Sequence, residues 1–151
     1  ELFGCLQAGI IAGKAELGDL CAKHPLARAV PPGSLTMSAL QDVTISYLER
    51  RASLIPFWEM ATASLDELKI RANKISSEFA TETTATTGGG TLPGVEIPSA
   101  GLKLTGNHVE FFRQQKPPII CRVDNDQTFI DLMTVHPNDD VFIDDAIKKI
   151  H

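Results

Sequence analysis

The sequence predicts an α+β fold, and three observations lead to this prediction. Apolar residues recur at helical spacing through most of residues 34–80. Two short apolar runs at 119–123 and 128–135 flank turn-forming residues and predict a β-hairpin. A further apolar run at 8–13, bounded by glycines, is typical of a strand buried on both faces. The predicted order of elements is therefore β-α, then α-α, then β-α-β-β-α.

Helices dominate the prediction for the first half of the chain. Residues 14–23 form one helix, which Pro25 ends because proline lacks the amide that a helix interior needs. After a proline-glycine break, a long helix is expected to begin at Ser34 or Thr36, since both residues are good N-caps. Residues 64–67 (Ser-Leu-Asp-Glu) have the spacing of a capping box. The helix that follows has one apolar stripe, made of Leu65, Leu68, Ala72, Ile75 and Phe79.

The second half predicts short strands and helices after a loop. Residues 81–94 are rich in threonine and glycine and show no periodicity, which indicates a loop or hinge. A strand is expected over residues 95–104, with an interruption near Pro98. Asn107 is a candidate cap for a short helix. A last helix begins at Asp139, and its early acids and late lysines complement the helix dipole.

Composition and charge exclude several classes of protein. The 151 residues predict one domain, large enough to need no disulfide or metal for stability. The formal net charge is −5, and all of it arises in residues 76–151. A nucleic-acid binder usually shows a basic stripe, and none is visible here. No apolar run approaches the roughly 20 residues of a membrane span, so no membrane contact is expected.

The cysteines and the first residue suggest where the protein works. Cys5, Cys21 and Cys121 are odd in number and widely spaced, which predicts free, buried thiols in a reducing compartment. We therefore expect a cytoplasmic protein without a metal site. The sequence begins at Glu1 with no charged segment leading into an apolar one, so it does not begin with a signal peptide. We interpret it as the cut end of something larger.

Familiar site patterns are weak in this sequence. Asp124, Asn125 and Asp126 resemble the start of a calcium loop, but Phe129 and Val135 stand where an EF-hand needs glycine and glutamate. A solvated turn is the favoured interpretation. Residues 88–91 (Gly-Gly-Gly-Thr) lack the Lys-Ser/Thr of a P-loop, so a hinge is favoured over a phosphate cradle. The spacing of the four histidines matches no metal motif and favours surface or helix-end positions: His24, His108, His136 and His151.

Four stretches of the sequence resemble the bacterial selenocysteine synthase family, the L-seryl-tRNA(Sec) selenium transferases. Residues 7–13 (QAGIIAG) resemble the family's G-G-P-Q-A-G-I-I-V-G, and residues 24–29 (HPLARA) resemble H-P-L-x-R-A-L-R. Residues 88–99 (GGGTLPGVEIPS) resemble G-G-G-S-L-P-G-x-x-[LI]-P-S, which is the most specific motif. Residues 117–123 (PPIICRV) and 130–135 (IDLMTV) resemble P-P-V-I-G-R-I and L-D-L-R-T-V.

The resemblance implies a pyridoxal-phosphate enzyme of the aspartate-aminotransferase fold, also called fold type I, of which this chain is the carboxy-terminal third. Residues 1–33 would be the last strand and helix of the large cofactor domain. Residues 34–151 would be the small domain, with helices over 34–80, a loop over 81–94, and an antiparallel sheet with helices over 95–151. The resemblance also implies a homo-oligomer, because active sites of this family form between subunits, and seryl-tRNA as a partner of the full protein.

The resemblance also implies roles for particular residues. The family's Schiff-base lysine aligns with Glu1, and a carboxylate forms no Schiff base. We therefore predict no catalytic residue within this chain and no bound pyridoxal phosphate. Gln7 and residues Gly88, Gly89 and Gly90 would lie near the cofactor, with the glycines at the entrance between the domains. Arg28 would contact the anionic selenium donor, because guanidinium groups match phosphate oxygens.

Departures from the family pattern leave alternatives open. Pro31 stands in place of the second arginine of R-A-L-R, and Met133 replaces the arginine of D-L-R-T-V. A related lyase acting on a small phosphorylated amino sugar or amino acid is one alternative, and a non-catalytic folding or dimerisation domain is another. Two aromatic pairs are candidates for a contact surface between subunits, although a place in the core is the favoured interpretation: Phe57-Trp58 and Phe111-Phe112.

Overall fold

A computed structural model describes residues 3–4, 6–86 and 94–150 of the chain. The chain divides into two compact units, Glu1–Glu59 and Met60–His151. The predicted division at residue 33 refers to the domains of a longer protein and stays a prediction.

The first unit consists of helices and irregular segments. Helix α1 spans Ala15–Lys23 and α2 spans Ser34–Leu48, with a 3-10 turn at Pro25–Arg28 between them. A second 3-10 turn covers Ala52–Leu54 and precedes α3, Pro56–Ala61, which crosses into the second unit. The helices predicted at 14–23 and from Ser34 are thus confirmed. Among the described residues of this unit only Ile55 is buried.

The strand predicted at residues 8–13 is absent from the structure. These residues have no regular secondary structure and are exposed, with Ile11 79% accessible. A strand buried on both faces needs neighbouring strands and covering helices. The described part of the first unit contains no other strand, so the apolar run has nothing to pair with.

The second unit is an antiparallel sheet with helices, and it confirms the α+β class. Its elements are α4 (Leu65–Ile75), β1 (Ala80–Thr86), β2 (Glu96–Thr105), α5 (Val109–Arg113), β3 (Arg122–Asp124), β4 (Gln127–Asp131) and α6 (Asp140–Ile147). Two 3-10 turns, Leu132–Thr134 and Pro137–Asp139, connect β4 to α6. The strand order is β1-β2-β4-β3.

Two local predictions for this unit are wrong. Residues 81–86 lie in β1 and not in a loop, because threonine has a high propensity for strands and β1 pairs along its whole length with β2. The rest of the predicted loop, residues 87–93, falls outside the described residues. Pro98 does not interrupt β2. Since β4 pairs with β2 only over residues 101–105, β2 has a neighbouring strand on one side only at Pro98.

Helix and turn signals near the sheet were mostly correct. Ser64 is the N-cap of α4, as predicted, but its side chain makes no capping hydrogen bond. The amide of Val109 donates to Asn107 Oδ1 at 3.1 Å at the start of α5. Asn125 and Asp126 have φ angles of 48° and 57°, which is the geometry of a two-residue hairpin turn between β3 and β4. The solvated-turn interpretation is therefore confirmed.

Most of the core lies on the face of the sheet that α4 covers, while buried Ala85 lies on the other face. Helix α4 packs against β1 and β2, and it also contacts α6. The largest fully buried apolar side chains are Phe112, Leu68, Leu102, Ile130, Leu132 and Ile143. Because Phe112 is completely buried and Phe111 packs against the same cluster, the core interpretation holds for Phe112, and its proposed place in a subunit contact is wrong. Phe57 and Trp58 are half-buried in the first unit.

Candidate functional site

Arg28, the predicted donor-binding residue, lies at the end of a short 3-10 turn. His24 caps this turn, because its Nδ1 accepts a hydrogen bond from the Leu26 amide at 3.2 Å. The Arg28 side chain is exposed and makes no hydrogen bond or ion pair with another described residue. A guanidinium in this state is available to an anion from solvent.

The other predicted site residues are not gathered around Arg28 by the described structure. Gln7 is exposed in an irregular segment, and no hydrogen bond joins it to Arg28. Glu1, Gly88, Gly89 and Gly90 lie outside the described residues. Their roles therefore remain predictions.

The turn that carries Arg28 borders an apolar hollow. Its volume is about 410 Å³, and the lining comes from the apolar run, α1 and the turn: Ile11, Cys21, Ala22, His24, Leu26, Ala27 and Val30. An apolar lining gives a phosphate nothing to bind, so this hollow is a packing surface and not a donor site.

A second candidate surface lies on the face of the sheet opposite α4, toward the β3–β4 end. Phe129 on β4 pairs with Lys103 on β2 and with Arg122 on β3, so the three side chains form one row across three strands. The Arg122 guanidinium lies 5.0 Å from the centroid of the Phe129 ring, and Lys103 Nζ lies 5.9 Å from it. Both cations are exposed. We call these three residues the basic row.

The neighbours of the basic row hold it in place. Arg122 Nη2 donates to Thr83 Oγ1 on β1 at 2.5 Å, so the guanidinium extends across the sheet. Gly101 on β2 lies close to the backbone of β4, because a Cβ there would stand 2.0 Å from the Ile130 carbonyl oxygen. Asp131 is on the same face, and its Oδ1 accepts from Ser99 Oγ at 2.6 Å and from the Met133 amide at 3.0 Å.

Metal chemistry has little support in the described residues. Within the part of the chain that the structure describes, no three His, Cys, Asp or Glu side chains are grouped to hold a metal ion. His24 and His136 cap 3-10 turns through Nδ1, and His108 Nε2 lies 2.8 Å from the Thr105 carbonyl. The helix-end interpretation is confirmed for these three, while His151 lies outside the described residues.

The cysteines differ from the prediction of buried thiols. Cys21 is exposed on α1 and Cys121 is half-buried before β3, and both are free; Cys5 lies outside the described residues. Burial raises the pKa of the Cys121 thiol above its ordinary value. A raised pKa reduces the thiolate fraction, so Cys121 has the character of a structural cysteine and not of a nucleophile.

Two lysines of the described residues, Lys69 and Lys148, do not suit pyridoxal phosphate. A Schiff-base lysine needs a lowered pKa, which burial or a neighbouring cation supplies. Lys69 lines the hollow beside β1, but its ammonium lies 2.6 Å from the Glu82 carboxylate, and this hydrogen bond raises the pKa of Lys69. The same holds for Lys148, whose pKa is raised by its hydrogen bond to Asp144. These groups do not fit the cofactor.

Among the described residues, no helix has both the length and the apolar character needed to cross a bilayer.

The family model of the L-seryl-tRNA selenium transferases (SelA) matches residues 1–136. This chain belongs to the L-seryl-tRNA selenium transferase family. The kinship predicted from the four stretches is therefore confirmed.

Individual relatives agree with the family match and show how much of the protein this chain represents. A selenium transferase of Aliarcobacter butzleri is 30% identical, with 99% of this chain and 36% of the relative covered. One from Carboxydothermus hydrogenoformans is 33% identical, with 89% and 33% covered. One from Aquifex aeolicus is 31% identical, with 92% and 34% covered. The chain spans about a third of the length of these selenium transferases.

The basic row is a feature that the sequence analysis did not single out. Arg122 lies in one of the stretches that resemble selenium transferases, PPIICRV, yet it attracted no prediction. The two-residue turn at 125–126 places Arg122 opposite Phe129, and that pairing is readable from the hairpin pattern. Lys103 belongs to a strand distant in sequence, and only the paired sheet brings it to the row.

Proposed function

We propose that this chain is the carboxy-terminal part of an enzyme that makes selenocysteinyl-tRNA from seryl-tRNA and selenophosphate. The observation that carries the proposal is the family match over residues 1–136, together with relatives named as L-seryl-tRNA(Sec) selenium transferases. In this proposal residues 1–33 complete the large domain, and residues 34–151 form the small domain of a cytoplasmic homo-oligomer.

The exposed apolar residues of the first unit support the proposal that another part of a longer protein covers this unit. Four large side chains of α1 and the segment after it are at least 60% accessible: Leu17, Leu20, Leu26 and Val30. Contiguous apolar surface of this kind is usually covered by another part of the protein. The remainder of a large domain would supply that cover.

Pyridoxal phosphate would supply electron withdrawal to the full enzyme, and in the proposal this chain by itself binds none of it. The cofactor would therefore be bound mainly by other parts of the protein. In the proposal Gln7 and the glycines Gly88–Gly90 border the cofactor site, and Arg28 binds the selenium donor through its free guanidinium. The role of Arg28 is supported by its exposure and by its lack of an acidic partner among the described residues.

Conversion of seryl-tRNA by the full-length protein tests the proposal. The purified protein, supplied with pyridoxal phosphate and selenophosphate, is expected to form selenocysteinyl-tRNA. Arg28→Ala should raise the KM for selenophosphate more than Arg28→Lys, with a matched exposed control, Lys23→Ala, unchanged. A folded protein that binds seryl-tRNA and yields no product would contradict the proposal.

Binding of the cofactor by the chain alone is a separate test. We expect the 151-residue chain to give no stoichiometric adduct when it is mixed with pyridoxal phosphate and reduced with borohydride. A site-specific lysine adduct, located by peptide mass spectrometry, would show that the chain carries a cofactor site after all.

One residue favours a second candidate function. Pro31 replaces the second arginine of the donor-binding pattern, which weakens the expected grip on a phosphate-like donor. A lyase acting on a small phosphorylated amino sugar or amino acid would need no tRNA. Turnover of such a substrate by the full-length protein, with no binding of seryl-tRNA, would favour this candidate.

A further inference from the structure

Strand β1 forms one outer edge of the sheet in the second unit. The strand order is β1-β2-β4-β3, so β1 pairs with β2 on one side and with no described strand on the other. It is seven residues long, whereas β3 at the opposite edge has three residues. A long edge strand presents a row of backbone amides and carbonyls with which another strand can pair.

The hydrogen bonds of β1 show which of its backbone groups point outward. The amide of Lys103 donates to the carbonyl of Phe79 at 2.9 Å, one pair before the register of β1 with β2 begins. Hydrogen-bonded and non-hydrogen-bonded pairs alternate in an antiparallel ladder. The odd-numbered residues of β1 therefore bond to β2. The even-numbered residues after Ala80 direct amide and carbonyl to the open side: Glu82, Thr84 and Thr86.

Two observations agree with this assignment. Pro98 has no amide hydrogen, and it pairs with Thr84, as a non-hydrogen-bonded position allows. The amide of Ala80, which also points outward, donates to the Ser76 carbonyl at 3.1 Å and not to β2. The alternation along β1 is therefore consistent from Phe79 to the pair at Thr84.

The open edge lacks the features that usually prevent strand pairing. Natural edge strands are short or carry proline, lysine or a bulge. The sequence of β1 is ATETTAT, and its register with β2 runs without a bulge. Its single charge, on Glu82, is balanced by Lys69, whose Nζ lies 2.6 Å from the carboxylate. Within the second unit this edge is therefore neutral and open.

The outward residues are complementary to a second copy of themselves. In an antiparallel pairing about a two-fold axis at Thr84, Thr84 faces its own equivalent and Glu82 faces Thr86 of the second copy. Every outward amide then meets a carbonyl, and the two Glu82 carboxylates lie at opposite ends of the contact. An axis at Glu82 would set these carboxylates face to face, which is unfavourable. Bonding and charge thus select one register.

A hollow beside the edge fits the same pairing. It has a volume of about 180 Å³ and lies between α4 and the start of β1, where Lys69, Asn73 and Glu82 contribute to its lining. Paired residues project to the same face of a sheet, so Thr86 of the second copy lies at the mouth of this hollow. Its hydroxyl can bond to Lys69 or Asn73 there, which adds side-chain contacts to those of the backbone.

We propose that β1 pairs antiparallel with β1 of a second copy of this chain and joins the two sheets into one. The inference deepens the homo-oligomer of the proposed function, on which it rests in that respect, by naming the contact. Because the contact is small and polar, we expect a dissociation constant of about 10–100 µM. Each copy has a net charge of −5, so added salt should tighten the dimer by screening the repulsion.

Sedimentation velocity of the 151-residue chain measures this association. Thr84→Lys sets two cations opposite each other and Thr84→Glu two anions, so each variant alone should weaken the dimer about fivefold. An equimolar mixture of the two should restore the wild-type affinity, because the opposed charges then attract. The matched control is Thr105→Lys, which adds the same charge at an exposed position of β2 away from the edge and should leave the dimer unchanged.

A proline variant tests the backbone itself. Thr84→Pro removes an amide that β2 does not use, so the fold should keep its circular dichroism spectrum. The dimer should weaken about tenfold, because both hydrogen bonds of the central pair are lost.

Disulfide trapping tests the register. In a background with the native cysteines replaced by serine, Thr84→Cys should give a linked dimer in oxidised glutathione. Opposed residues of a hydrogen-bonded pair lie about 5.5 Å apart between their Cα atoms, which suits a disulfide. Thr86→Cys projects to the same face of the strand but faces Glu82 of the second copy, so it should stay unlinked.

Several results would overturn the inference. One is a wild-type chain that stays monomeric at about 1 mM. Others are a dimer that Thr84→Lys and Thr84→Pro leave intact, and equal trapping at positions 84 and 86. Should Thr84→Pro fail to fold, the two charge variants and their mixture still decide. A β1 dimer in a full-length protein without transferase activity would refute the proposed function alone. Transferase activity in a full-length protein whose association Thr84→Lys leaves unchanged would refute the inference alone.

Discussion

Arg71 is predicted to be the polar side chain on which the second unit depends most. Its Nε and Nη2 donate to the two carboxylate oxygens of Asp140 at 3.0 and 2.6 Å. Nη1 and Nη2 also donate to the carbonyls of Leu132 and Val135 at 3.2 and 3.0 Å. One guanidinium thus joins α4 to the turn after β4 and to the first residue of α6.

The loss of this group has a calculable cost. The side chains of Arg71 and Asp140 are 19% and 23% exposed, so the pair is mostly but not fully withdrawn from water. Breaking a fully buried pair costs about 3–5 kcal/mol because a lone charge is left behind. Partial solvation of Asp140 reduces this, and we expect Arg71→Ala to lower the free energy of unfolding by about 2–3 kcal/mol.

Urea denaturation followed by far-ultraviolet circular dichroism measures this change. With a slope of about 1–3 kcal/mol/M, a loss of about 2–3 kcal/mol should lower the midpoint by about 0.7–3 M. Arg71→Lys keeps the positive charge but loses the planar guanidinium that binds two oxygens at once. Its urea midpoint should therefore lie between those of wild type and Arg71→Ala. A double-mutant cycle with Asp140→Ala should give a coupling of about 1–2 kcal/mol.

A matched control breaks an exposed pair in the same unit. Lys148→Ala removes the ion pair with Asp144 on α6, which is open to solvent and should leave the midpoint unchanged. If Arg71→Ala moved the midpoint no further than Lys148→Ala does, the assignment of a structural role to the Arg71 network would be wrong.

Three other changes have definite expected results. Gly101→Ala should destabilise the second unit by about 2–3 kcal/mol in the same urea assay, because the new Cβ meets the Ile130 carbonyl oxygen at 2.0 Å. Asp126→Gly should stabilise it by about 0.5 kcal/mol, since the φ of 57° suits glycine better. Iodoacetamide at neutral pH should alkylate exposed Cys21 faster than Cys121, whose pKa is raised by burial, and site-resolved mass spectrometry measures both rates.

Each of these three predictions has a result that would contradict it. Gly9→Ala is the control for Gly101→Ala, because nothing lies within 4 Å of a Cβ at Gly9, and equal effects of the two would remove the steric argument. A destabilising Asp126→Gly would contradict the turn geometry. Alkylation of Cys121 should keep accelerating with pH beyond the ordinary pKa of a thiol, and a rate that levels off at or below that pH would contradict the raised pKa.

Local signals in the sequence predicted most elements of the second unit correctly. Three elements were predicted from residues that are adjacent in the chain: the turn at 125–126, the helix after Ser64 and the last helix after Asp139. Signals of this kind can be read directly from a sequence. Three predictions about elements were wrong: β1, the interruption of β2 at Pro98 and the strand at 8–13. The errors at β1 and at 8–13 have a non-local cause. Threonine suits loops and strands alike, so pairing with β2 decided the state of residues 80–86. The apolar run needs partner strands, and the described residues of the first unit hold none.

The sequence by itself determined the family and the class of the fold, because motifs and periodicity are properties of residues close together in the chain. The proposed donor-binding role of Arg28 also comes from such a motif, which is six residues long. The tertiary structure alone decided which distant side chains share a surface. Lys103 and Arg122 meet at Phe129 because β2, β4 and β3 are neighbours in the sheet, and Arg71 reaches Asp140 because α4 packs beside α6. Strand order and helix packing arise from burial of the whole core, which no local pattern specifies.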